Sequence, residues 1–110
     1  HSDRAMADYL RCFSDPETIH ASCEDYRAAA SIDLVHDAEN QGERLDIPLF
    51  AISGADGFVA SHYDLKVEWE TSFNNVKTAA VPGGHFLAEE SPDELLSLVV
   101  PFFKASAQLS

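Results

Sequence analysis

Positive charge is what this sequence has least of. Its 110 residues carry 7 Lys+Arg against 19 Asp+Glu, a formal net charge of −12. So negative a balance argues against nucleic acid and against anionic membrane surfaces as partners, because both would repel it. Cysteine is almost as scarce. Cys12 and Cys23 form no CxxC and no metal-ligand spacing, and a small secreted domain would carry a denser disulfide framework. They read as free thiols on helix faces of a cytoplasmic protein, with a Cys12–Cys23 bridge left open. No apolar run approaches the ~20 residues of a membrane span, and no signal-peptide pattern is present. The first residue is His1 rather than Met, which fits a processed start, a tag remnant or a stretch of a longer gene. What is present, 45% hydrophobic and 24% charged residues, is the composition of a globular domain with a modest core.

Apolar spacing predicts a short helix over residues 5–13, with Met6, Tyr9, Leu10 and Phe13 on one stripe. Asp15, Pro16 and Glu17 then form a helix start, and a second helix is expected from residue 16 to about 39, with Ile19, Cys23, Tyr26 and Ala30 on one face. The run 47–53, closed by Gly54, reads as a strand buried on both faces. Helical periodicity returns over 63–73 through Leu65, Val67, Trp69 and Phe73, and residues 76–81 are a second strand ended by Pro82-Gly83-Gly84. Ser91, Pro92 and Glu94 predict a capping box opening the last helix, which Pro101 should kink or end. Strands alternating with helices imply an α/β fold with a parallel sheet and right-handed crossovers. Two strands do not make a covered parallel sheet, so further strands are expected outside this sequence. Residues 1–40 and 41–110 are the two expected regions.

His85 is the leading candidate for chemistry. It follows a strand and two glycines and precedes the acidic pair Glu89-Glu90. In open parallel sheets functional side chains gather just beyond the carboxyl ends of the strands, and imidazole is suited to take a proton from water or a nucleophile near neutral pH. A loop histidine bonded only to its surroundings is the alternative. His20 with Cys23, and His62 with Asp64, each offer two metal ligands, but no third or fourth at useful spacing, so no metal site is expected.

The segment 84–92, Gly-His-Phe-Leu-Ala-Glu-Glu-Ser-Pro, ahead of a helix ending in Phe102-Phe103, resembles the histidine loop of α/β-hydrolases. The likeness is greatest to the fluoroacetate (haloacetate) dehalogenases, with soluble epoxide hydrolases as near relatives. Residues 23–28 (Cys-Glu-Asp-Tyr-Arg-Ala), 47–49 and Ser53-Gly54 fall where that branch has a late cap helix and its seventh strand. The fold so implied is the C-terminal part of an α/β-hydrolase: the end of a helical cap over residues 1–40, then strand–helix–strand–helix of the core over 41–110. The resemblance implies a two-step reaction, and no cofactor is expected. An aspartate displaces halide from a small haloacid and leaves an ester, and the histidine activates the water that hydrolyses it. His85 would be that base, and Tyr26 the hydroxyl that holds the departing halide, unless Tyr26 is a core aromatic beside Ile19 and Cys23. Full-length relatives are expected to be homodimers.

The departures from the family are as informative. Neither G-x-D-x-G nor G-x-S-x-G occurs. Gly54-Ala55-Asp56-Gly57 lacks the residue between nucleophile and second glycine, and no helix clearly starts there. Many relatives place the seventh-strand acid three residues after the strand-ending glycine, where this chain has Gly57, so Asp56 stands one short as an orienting acid. The resemblance therefore puts the nucleophile, the main acid and a carboxylate-binding arginine pair ahead of His1. An epoxide hydrolase, another hydrolase of this fold, or a non-catalytic remnant or binding module are the alternatives.

Overall fold

The computed structural model describes residues 2–106 and divides into two units, His1–Gln41 and Gly42–Ser110. In the first unit, the Ser2 hydroxyl accepts from the Ala5 amide at 3.2 Å and so starts helix α1, Asp3–Phe13, ahead of its apolar stripe. Asp15 caps α2, Pro16–Ala29, by accepting from the Glu17 amide at 2.9 Å, with Pro16 in the first turn. The long helix expected over 16–39 is broken. Ser31 donates its hydroxyl to Arg27 O at 2.6 Å and its amide to Ala28 O at 2.9 Å, which tightens the chain out of α geometry. A separate α3, Ile32–Glu39, follows, and Gly42 takes φ +93° beyond it. The α2 face that is half-buried holds Thr18, Ser22 and Ala28, whereas Ile19, Cys23, Tyr26 and Ala30 are exposed.

In the second unit, β1 is Leu49–Gly54 and β2 is Val76–Val81, paired in parallel from Leu49↔Val76 to Gly54↔Val81. Pro48 has no amide to give a ladder, and the regular pairing starts one residue on, where Leu49 N–H reaches Asn75 O at 2.8 Å. Below that point Asp46 ties the two segments together, accepting from Asn74 Nδ2 at 2.7 Å through its carboxylate and from Asn75 Nδ2 at 3.0 Å through its carbonyl.

The crossover differs from the single helix expected over 63–73. It contains α4, Phe58–His62, and α5, Leu65–Trp69. Asp64 starts α5 by accepting from the Lys66 and Val67 amides at 3.0 and 3.2 Å, and Tyr63, in extended backbone, separates it from α4. A helix does begin directly after Gly57, contrary to the sequence expectation at that site.

Burial of β1 on both faces is also corrected: Leu49 to Ser53 are half-buried, and Gly54 alone in this strand is buried. The reason is topological. Leu49 N–H faces β2, and alternation along a strand turns the N–H and C=O groups of Phe50 and Ile52 the other way, where no strand pairs with them among the described residues. Phe102 covers part of one face, its ring 5.4 Å from that of Phe50, while Lys77 Nζ lies 4.7 Å from the same ring centroid.

Helix α6, Leu87–Glu90, precedes α7, Pro92–Ser106. The expected capping box does not form, because the Ser91 amide is taken by Leu87 O at 2.9 Å and its hydroxyl donates to Pro82 O. Pro101 does not end α7. It removes one amide from the helical ladder, and regular structure continues to Ser106. Ser91 is 6% exposed and its bond to Pro82 O is part-buried, so Ser91→Ala leaves that carbonyl without this donor. Its expected cost is about 1–2 kcal/mol, read as a lower urea midpoint by fluorescence of Trp69, the single tryptophan. An unchanged midpoint would show that water replaces the hydroxyl at no cost.

Candidate functional site

Both strands end at the same level, and the loops that leave them are interlocked through backbone. Ala55 N–H donates to Val81 O at 2.8 Å, Asp56 N–H to Gly83 O at 3.0 Å, and Gly57 N–H returns to Gly54 O at 3.0 Å. Gly54 permits this approach. A Cβ there would lie 2.0 Å from Gly84 O and 2.4 Å from Gly83 O, both backbone atoms. Gly83 is needed for a different reason, its φ of +114°.

His85 leaves the chain from this junction. Its side chain is exposed, with the ring edge-on to Phe86 at 5.1 Å between centroids. The amides on either side of it converge on one atom: Gly84 N–H and Phe86 N–H donate to Glu90 Oε2 at 3.1 and 3.0 Å. A cavity of about 390 Å³ reaches His85, Gly84 and Leu87 at one end. Consecutive residues from Leu49 to Gly54 line it, so it follows the unpaired edge of β1 and not one face of the sheet. Phe58, Val59, Leu65 and Trp69 complete an apolar wall. An imidazole at the end of such a trough meets water from outside and apolar surface from inside.

No family model matches the chain. Individual proteins do. It is 33% identical to a fluoroacetate dehalogenase from Burkholderia sp. over 97 residues, covering 88% of this chain and 32% of that protein. It is 32% identical to a soluble epoxide hydrolase from Corynebacterium sp. (strain C12), covering 93% of this chain and 34% of the relative. Among solved structures, one described as an α/β hydrolase from Nostoc sp. PCC 7120 superposes with a TM-score of 0.88 at 40% identity, over 94% of this chain and 35% of that one. The fold is that of the C-terminal part of an α/β-hydrolase. The chain spans about a third of the length of the curated relatives it matches.

Within this α/β-hydrolase portion the other candidates are dispersed. Asp56 shares the loop junction with His85, yet its side chain is exposed, does not line the cavity, and makes no hydrogen bond or ion pair to His85 among the described residues. Tyr26 lies on α2 in the first unit and is 80% exposed among the described residues. His20 pairs with Glu24 at 3.9 Å rather than joining Cys23 in a ligand set, and both cysteines are free thiols. His62 stacks on Phe58 at 4.0 Å, and its Nδ1 lies 2.8 Å from Ser61 Oγ and 2.9 Å from Phe58 O. Among the described residues no three His, Cys, Asp or Glu side chains are grouped to hold a metal ion, and no helix is long and apolar enough to cross a membrane. Sequence reasoning missed Glu90 and Gly54 as parts of the site. The signal for Glu90 was an acid in the first turn of the helix that follows the histidine loop.

Proposed function

We propose that this chain carries the water-activating histidine of a carbon–halogen hydrolase acting on small haloacids. The observation that supports it most is His85 at the end of β2, exposed at the mouth of an apolar trough and held on a loop locked to the end of β1. The likeness to a fluoroacetate dehalogenase suggests the substrate class. In this reading a carboxylate displaces halide from the α-carbon, forming a carbon–oxygen bond as the carbon–halogen bond breaks. His85 takes a proton from water, and the hydroxide formed adds to the ester carbonyl. The acyl C–O bond then breaks, the hydroxy acid leaves as its alkoxide collects the proton from His85, and the carboxylic acid so formed gives a proton to solvent, which restores the carboxylate and balances the halide released in the first step. Tyr26 would donate its hydroxyl to the halide. Asp56 would orient the imidazole after a rotation of its side chain.

None of the 110 residues stands in a G-x-D-x-G setting, so the carboxylate nucleophile is assigned to a segment other than these residues. By themselves they are expected to release no fluoride from fluoroacetate above a heat-killed control. Joined to the portion of the Burkholderia relative that they do not match, they should sustain fluoride release. Turnover by the 110 residues alone, or inertness of a folded joined protein, would overturn the reading. A second reading, epoxide hydrolysis through the same ester, is favoured by the likeness to a soluble epoxide hydrolase. Diol formation from a small epoxide, without fluoride release, would select it.

A further inference from the structure

The histidine loop is held by a side chain that neither the ester chemistry nor the sheet requires. We propose that Glu90 is a positioning residue: its Oε2, accepting from the amides on both sides of His85, fixes the direction in which the imidazole leaves the chain. This rests on the reading of His85 as the base, and it deepens that reading.

Two amides two residues apart meet on a single oxygen when the backbone between them is bent into a concave turn, the kind of arrangement that attracts an anion. A carboxylate is the strongest acceptor a side chain offers there, since charge-assisted bonds exceed neutral ones. Glu90 is itself held in return, because its own amide donates to Phe86 O at 3.0 Å, so Phe86 and Glu90 exchange two bonds across the turn. Gly83 leaves space for this side chain, since a Cβ there would stand 3.2 Å from Glu90 Cβ, whereas one on Gly84 would meet both Glu90 carboxylate oxygens at an ordinary contact distance of 3.5 Å. His85 has no hydrogen bond of its own in the described structure to set its ring. The backbone on either side therefore sets the position of its Cα–Cβ bond.

The test uses the whole chain in solution, observed by NMR. Glu90→Ala should move the amide proton signals of Gly84 and Phe86 together to higher field, and speed their hydrogen exchange by roughly tenfold, the worth of a charge-assisted bond. The His85 ring signals, one sharp set in the parent, should broaden or split as the loop samples other directions. Glu90→Gln keeps an acceptor oxygen and should restore a single ring set with smaller amide shifts, which a merely structural loss would not do. It also stands in if the alanine variant does not fold. Asp93→Asn, which removes an acid in the first turn of α7 that binds neither amide, should leave all these signals in place. Unmoved Gly84 and Phe86 amides in both Glu90 variants, or a ring set indifferent to them, would overturn the proposal. These readouts do not depend on catalysis. A positive result with an inert joined enzyme would retain the clamp and discard the hydrolytic reading, and the reverse pattern would do the opposite.

Discussion

His85→Ala, in these residues joined to a nucleophile-bearing segment, is expected to release one equivalent of halide per site and then stop. The first step needs only a carboxylate and a leaving group, so it survives the loss of imidazole. The second needs a base for water, and positioned general bases are worth about 10²–10⁴-fold in rate. With the second step slowed that far, the ester accumulates, and mass spectrometry should find the chain segment that holds the nucleophile heavier by the acid fragment. A halide electrode gives the stoichiometry. His85 is exposed, so the substitution should leave the unfolding midpoint within about 0.5 kcal/mol of the parent, as surface changes usually do. Sustained turnover in the variant would remove His85 from the mechanism. Absence of even the first equivalent would mean that His85 acts before the ester forms, and the two-step assignment would fall.

Among the five glycines, Gly54→Ala should meet the severest overlap. Its Cβ would meet Gly84 O at 2.0 Å and Gly83 O at 2.4 Å, and neither atom belongs to a side chain that could rotate away. Relief requires the histidine loop to lift from the end of β1, which strains the bond from the Asp56 amide to Gly83 O. Overpacking of this kind costs about 1–3 kcal/mol, more where backbone must move. Urea unfolding followed by Trp69 fluorescence gives the loss. Gly57→Ala is the comparison, because its nearest contact is 3.2 Å and a few tenths of an ångström of adjustment suffices. Equal midpoints for the two variants would mean that the loops are not packed as described. In a joined enzyme Gly54→Ala should also lower turnover, since the displaced loop is the one that bears His85.

Much of the α/β framework was legible because its signals are local. The apolar run ending at Gly54 and the run 76–81 before Pro82 are each short, continuous and closed by a residue that breaks strands. The place of His85 in the fold, though not its role, was legible for the same reason, a histidine two glycines past a strand. What escaped was settled by contacts that no periodicity encodes. Residues 28–30 are all alanine, the best of helix formers, yet the helix breaks there because Ser31 bonds backward to Arg27 and Ala28. The stripe over 63–73 satisfied a helical period, but the helical turns lie at 58–62 and 65–69, on either side of an extended Tyr63. Ser91 looked like a cap and became a buried tie to Pro82, since its amide was already taken. The roles of Glu90 and Gly54 depend on how two loops meet, which spacing along one strand does not express.

The tie between Asp46 and the Asn74–Asn75 pair has a consequence for the order of assembly. Its partners are 28 and 29 residues apart in sequence, and parallel pairing offers no shorter route to them. The chain between must be gathered before the first rung forms, an entropic cost that is met ahead of any return. Contacts of this separation slow folding far more than they alter final stability. His85 and Glu90 lie beyond the far end of the ladder, where Asp56 N–H meets Gly83 O, so this contact is expected to follow the closing of the rungs. The histidine loop is thus expected to be among the last parts to reach its place, so that its environment reports completed pairing rather than local order.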